Sequence, residues 1–210
     1  FATTYAVFAS RRAYDFICLA IAEDRLNVKI VCALPGLTTG YGPSHQATDD
    51  LAIFRAMPNL TIIDPCDAVD IEEATAAIAA YDGPVYMRLL RGAVPLVLDE
   101  YDYRFEIGSA RLLGEGSDVL VIASGLMTMR ALEAAELLRA DRIDTAVLHV
   151  PTVKPLDEEA LIAFASRPGR LVVTAENHSV VGGFGEAVAG VLMRAGVRPT
   201  FRQIGLPDVF

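Results

Sequence analysis

Two periods of apolar spacing take turns along the chain. From Arg11 to Ala22 apolar residues recur at helical spacing, and Lys29–Leu34 is a short apolar run sized for a buried strand. A loop rich in Gly and Thr covers Pro35 to His45, and a helical pattern returns from Asp49 to Ala56, stopping before Pro58. Asp49 and Asp50 fall in its first turn, where carboxylates meet the positive end of the helix dipole. Leu60–Asp64 then reads as a strand, Ile71–Ala80 as an alanine-rich helix, and Val85–Leu90 as a strand after the Asp82-Gly83-Pro84 turn. Between Arg91 and Glu106 neither period holds. The alternation then resumes, with strands expected at Asp118–Ala123, Asp144–Val150, Arg170–Ala175 and Thr200–Ile204. Helices are expected at Met127–Ala140, Asp157–Ala165 and Gly185–Ala195.

Strands of nearly unbroken Val, Leu and Ile separated by helices belong to parallel sheets covered on both faces. The expected fold class is therefore α/β, with two small domains, each a mostly parallel sheet flanked by helices: residues 1–92, a linker over 93–106, and residues 107–210. A length of 210 residues with 53% hydrophobic content is ample for such cores. A net charge of −9 argues against a nucleic-acid surface or an anionic membrane surface. No apolar run reaches the roughly 18 to 20 residues that span a bilayer. Cys18, Cys32 and Cys66 lack metal-ligand spacing and sit in apolar stretches, as buried thiols of a cytoplasmic protein do. The chain opens at Phe1 without a methionine, which reads as the middle of a longer polypeptide.

Ligands of open α/β sheets gather at the loops after the carboxyl ends of strands, and the loop after Lys29–Leu34 is the richest such place. It supplies Gly36, Gly40 and Gly42 for close backbone approach, and His45, one of three histidines. The Gly182-Gly183-Phe184-Gly185-Glu186 string also opens a helix after a strand but lacks dinucleotide-binding spacing. His149, inside an expected strand, reads as a satisfied core or interface histidine.

The string Gly36-Leu37-Thr38-Thr39-Gly40-Tyr41-Gly42-Pro43-Ser44-His45-Gln46 resembles the Gly-Pro-Thr-His-Gln segment of the transketolase pyrimidine-binding domain. So do the Met57-Pro58-Asn59 turn and Asp64-Pro65-Cys66-Asp67 after it, and the second half resembles the transketolase C-terminal domain in pattern. The stand-alone C-terminal subunits of split bacterial transketolases are the nearest in style. The resemblance implies thiamine diphosphate as cofactor, with Tyr5 and Phe8 beside its aminopyrimidine and Arg11 where the family has a third aromatic. It implies His45 as the catalytic histidine facing the reactive carbon and the substrate hydroxyls. Arg91 corresponds to the arginine that binds substrate phosphate, with Arg88 as fallback. Tyr41 stands near the place of an acidic residue that reads a substrate hydroxyl. Glu176, Asn177 and His178 correspond to a packing and interface stretch.

The resemblance also implies parts that these residues do not supply. The Gly-Asp-Gly and Asn run that holds the diphosphate through a divalent metal has no counterpart here, and the family's catalytic glutamate would lie upstream of Phe1. The expected partners are a diphosphate-binding N-terminal domain or subunit and a sugar phosphate substrate, in a homodimer or heterotetramer. The expected activity is transfer of a two-carbon ketol unit, with the chain inactive alone. Alternatives are a deoxyxylulose-phosphate synthase-like or 2-oxo-acid dehydrogenase beta-subunit-like enzyme, or a non-catalytic dimerisation module.

Overall fold

A computed structural model describes residues 1–209. Two five-stranded sheets share one continuous core. The first sheet has strand order β1 (Ala2–Tyr5), β2 (Lys29–Ala33), β4 (Val85–Leu89), β3 (Thr61–Ile63), β8 (Thr152–Lys154). The second runs β10 (Thr200–Leu206), β9 (Leu171–Ser179), β6 (Val119–Ala123), β7 (Thr145–His149), β5 (Arg111–Gly114). Pairing is parallel except at β8 and β5, which lie antiparallel at the edges. The inner strands are buried at nearly every position, as the unbroken apolar runs predict for sheets covered on both faces.

Helices α1 (Ala6–Arg11), α2 (Tyr14–Ile17), α3 (Asp50–Arg55), α4 (Ala68–Ala80), α5 (Leu126–Ala140), α6 (Glu158–Ala165) and α7 (Phe184–Arg194) connect them. The helix expected over Arg11–Ala22 is instead three pieces: α1 starts earlier, Arg12 and Ala13 break it, and α2 continues as a π-helical turn over Cys18–Ala22. Phe8 therefore lies inside a helix and Tyr5 caps its start. β9 runs four residues beyond the expected Ala175 and carries Glu176, Asn177 and His178 in the strand.

β8 gives the two halves a shared sheet. Although it follows β7 in the chain, it pairs with β3 at the edge of the first sheet, Ile62 opposite Lys154 and Ile63 opposite Thr152. Lys154 Nζ also donates to the carbonyls of Arg55 and Met57. Leu51, Phe54, Ile62 and Tyr86 of the first half belong to the same buried cluster as Leu120, Leu148, Phe184 and Val188 of the second. The irregular segment after β4 is pinned by carboxylates: Asp67 caps α4 and accepts from the N–H groups of Val97 and Leu98. Asp70 accepts from the Tyr103 hydroxyl and from His149, whose Nδ1 meets the Thr128 hydroxyl at 2.8 Å. His149 is buried with both ring nitrogens bonded, a satisfied core histidine. Among the described residues no helix is long and apolar enough to cross a membrane, and the three cysteines are free.

Candidate active site

β1 and β2 pair in register from Ala2 opposite Ile30 to Tyr5 opposite Ala33, so both strands end at one level. From there β1 turns directly into α1, placing Phe8 one helical turn after Tyr5, while β2 feeds the long loop to His45. The rings converge. Tyr5 and Phe8 have centroids 5.6 Å apart, and His45 lies 5.9 Å from Tyr5 and 5.4 Å from Phe8. Tyr41 approaches His45 edge-on at 5.4 Å and is itself 61% exposed. Tyr5, Phe8 and His45 are half-buried, forming a cup of aromatic surface open on one side.

The loop is held from several directions. Gln46 Nε2 donates to the Thr39 carbonyl, and Ser44 Oγ donates to the Tyr41 carbonyl at 3.2 Å while standing 3.0 Å from His45 Nδ1. Arg11 does not point into the cup. Its guanidinium grips both carboxylate oxygens of Asp49 and the Pro43 carbonyl, so it ties the loop to the start of α3 from the rim. At the other end, Gly36 takes φ +57°, and a Cβ there would lie 2.2 Å from the Asn177 carbonyl oxygen. Only glycine fits that approach. Asn177 Oδ1 then accepts from the Leu37 N–H.

Behind the cup lies a buried charged seam. Arg88, 1% exposed in the middle of β4, donates to Asp50 through Nε and Nη2, to Asp64 through Nη1, and to the Asn177 carbonyl. Burial works against its charge, but Asp50 and Asp64 outweigh it and hold the guanidinium firmly protonated. The Tyr86 hydroxyl donates to Asp50 at 2.6 Å, and Ser124 to Asp64 at 2.9 Å. Arg88 is thus buried with all three nitrogens engaged by protein groups, which argues against the fallback role of phosphate ligand. Three residues later Arg91 is exposed and makes no hydrogen bond or ion pair among the described residues. It stands two residues beyond the end of β4.

Glu176 and His178 complete the seam from β9. The Glu176 carboxylate accepts from the Phe184 and Gly185 N–H groups at the start of α7, yet burial still pushes its pKa up to about 7. His178 accepts from the Ala52 N–H through Nε2, and burial lowers its pKa. The stretch Glu176–His178 is therefore a lock between β9, the Gly36 loop and α3. The seam carried a signal in the sequence: Asp50, Asp64 and Arg88 are charges set among apolar residues of buried elements, and such charges need one another.

Two family profiles match the chain: the transketolase pyrimidine binding domain over residues 1–97, and the transketolase C-terminal domain over residues 108–210. A transketolase family protein of Sinorhizobium fredii is 75% identical over 209 residues, covering 99% of this chain and 61% of its own length. A 6-deoxy-6-sulfo-D-fructose transketolase subunit of a Clostridium species is 43% identical, with 99% of this chain and 67% of that one matched. Among solved structures, a split gene transketolase described as an inactive beta4 tetramer superposes with a TM-score of 0.91 at 44% identity, over 99% of this chain and 67% of that one. The chain thus spans about three-fifths to two-thirds of the length of these relatives.

Proposed function

The chain belongs to the transketolase family, and from that premise we propose that it supplies the aminopyrimidine side of a thiamine-diphosphate site in a ketol-transferring enzyme. The observation that carries this reading is the convergence of Tyr5, Phe8 and His45 at the ends of β1 and β2. Their half-exposed faces suit a flat heteroaromatic ring. Donors of this kind do not suit a metal-bridged diphosphate, which wants hard oxygen ligands. We therefore assign the diphosphate and its divalent metal to a diphosphate-binding domain or subunit that meets this face. The division into a pyrimidine-binding unit over 1–92 and a C-terminal unit over 107–210 is part of the same reading, supported by the two family profiles.

Bound thiamine diphosphate supplies the electron sink for breaking and making a carbon–carbon bond beside a carbonyl. In this reading Tyr5 and Phe8 flank the ring and exclude water from it. His45 hydrogen-bonds a substrate hydroxyl and moves its proton through Nε2, the nitrogen without a hydrogen bond among the described residues. Arg91 pairs with the phosphate of a sugar phosphate, for which a guanidinium fork is well shaped. Tyr41 borders the sugar, and Arg11 acts on the site through the loop it holds rather than by touching the cofactor. The protein is assigned to the cytoplasm as a homodimer or heterotetramer, inactive without its counterpart. The beta4 tetramer found for the split gene relative, described as inactive, supports that last point.

The test is reconstitution. The protein, its diphosphate-binding counterpart, thiamine diphosphate and Mg²⁺ are mixed, and ketol transfer from a ketose phosphate to an aldose phosphate is followed beside pyruvate consumption. Transfer should appear only in the full mixture, and His45→Ala should lower turnover by at least about tenfold. Pyruvate consumption in place of transfer would select the second reading, favoured by relatives described as 1-deoxy-D-xylulose-5-phosphate synthase at 37% identity. Neither activity would make the chain a non-catalytic module.

A further inference from the structure

The neighbour of His45 has a single hydroxyl proton and two contacts. Ser44 Oγ is 3.2 Å from the Tyr41 carbonyl oxygen and 3.0 Å from His45 Nδ1. A carbonyl oxygen only accepts, whereas a neutral imidazole nitrogen either donates or accepts. One arrangement satisfies both contacts: the Ser44 proton goes to the Tyr41 carbonyl, and Ser44 Oγ accepts from an Nδ1–H on His45. The reverse leaves Ser44 Oγ and the Tyr41 oxygen facing each other as two acceptors.

We propose that Ser44 is a positioning residue that fixes the His45 tautomer, holding the proton on Nδ1 so that Nε2 carries the lone pair. This rests on the reading of His45 as the group that handles a substrate proton. With Nε2 unprotonated, the ring accepts a proton from a substrate hydroxyl: the O–H bond breaks with its electron pair staying on the oxygen, the Nε2 lone pair forms the new N–H bond, and the ring becomes a cation. In that cation both nitrogens donate, and Nδ1–H already has its acceptor in Ser44. The same hydrogen bond therefore serves the ring before and after transfer, and no hydroxyl must turn during the step. A Ser44 that donated to Nδ1 would have to reorient when the ring charged.

Imidazole ¹⁵N chemical shifts of the protein labelled at histidine test this without reference to activity. They are read on the neutral ring and are assigned by their loss in His45→Gln. A proton-bearing ring nitrogen resonates far from a lone-pair nitrogen. The expected wild-type pattern is a proton on Nδ1 and a lone pair on Nε2. Ser44→Thr should keep that pattern, and Ser44→Ala should shift it toward the Nε2–H form that an unpartnered imidazole favours. In the reconstituted enzyme Ser44→Ala should lower kcat on the order of tenfold with KM little changed, and Ser44→Thr should restore it. An Nε2–H form in the wild-type protein overturns the proposal, as does a tautomer identical in wild type and a folded Ser44→Ala. If Ser44→Ala does not fold, the wild-type and Ser44→Thr spectra decide alone. The expected tautomer in a protein without any transfer activity would leave Ser44 fixing the ring and remove the catalytic reading instead.

Discussion

Arg88 and Arg91 lie three residues apart and live in opposite environments. Around Arg88 two carboxylates and a carbonyl take up the guanidinium, and burial is complete. Arg91 is exposed, with its charge unpaired among the described residues. The same contrast separates His178, bonded at both nitrogens behind the loop, from His45, whose Nε2 has no partner among the described residues. Residue type alone does not distinguish a structural arginine or histidine from one available to a ligand. Bonding within the chain does: the seam commits its polar groups to contacts between the two sheets, whereas Arg91 and His45 Nε2 are left without partners among the described residues.

The sharpest way to break that comparison is Arg88→Ala. It strands Asp50 and Asp64 without their shared counter-charge in a buried site, and the expected loss is about 3–5 kcal/mol of stability by urea unfolding. An unchanged unfolding midpoint would mean that the seam is not what holds the halves together. Arg91→Ala is the opposite case. Unfolding should be unaffected, while in the reconstituted enzyme KM for a phosphorylated sugar should rise about tenfold, consistent with loss of one charge-assisted pair. A rise of the same size for an unphosphorylated sugar would show that Arg91 does not read phosphate.

The smallest effect is in pH. His178 is held below its ordinary pKa of 6.5, so the unfolded chain binds a proton that the folded one refuses. Stability from this group is present above 6.5 and is lost as pH falls below it. Glu176, raised from 4.5 to about 7, works the other way: the folded protein holds the extra proton, and stability falls as pH rises from 4.5 to about 7. Between 4.5 and 6.5 the two oppose each other. Relative to wild type, His178→Gln should therefore make stability decline more steeply with rising pH across that window, and Glu176→Gln should make it climb, both read from urea midpoints. Parallel profiles for all three proteins would remove the two groups from the pH dependence.

Much of the frame was legible because buried parallel strands need long apolar runs. Val119–Ala123 and Thr145–His149 announce themselves in that way. Ala2–Tyr5 does not, because β1 is an edge strand with exposed positions and carries no apolar run. Thr152–Lys154 is three residues long, and only its partner across the molecule makes it a strand. The break at Arg12 and Ala13 hid behind good helical spacing. At the site, the family motif led to His45 and the two rings, whereas the turn of Arg11 onto Asp49 depends on a contact 38 residues away. Periodicity does not report such contacts.

The edge strand β8 bears on how chains of this kind can be divided. Cutting the connection after β4 would look natural from the order of elements, since it lacks regular structure for some twenty residues. Such a cut would carry off Thr152–Lys154 with the second fragment and leave β3 with bare amide and carbonyl groups along one side, a template for aggregation. A division placed outside the stretch from β3 to β8 leaves that pairing intact and keeps both of its strands on one piece.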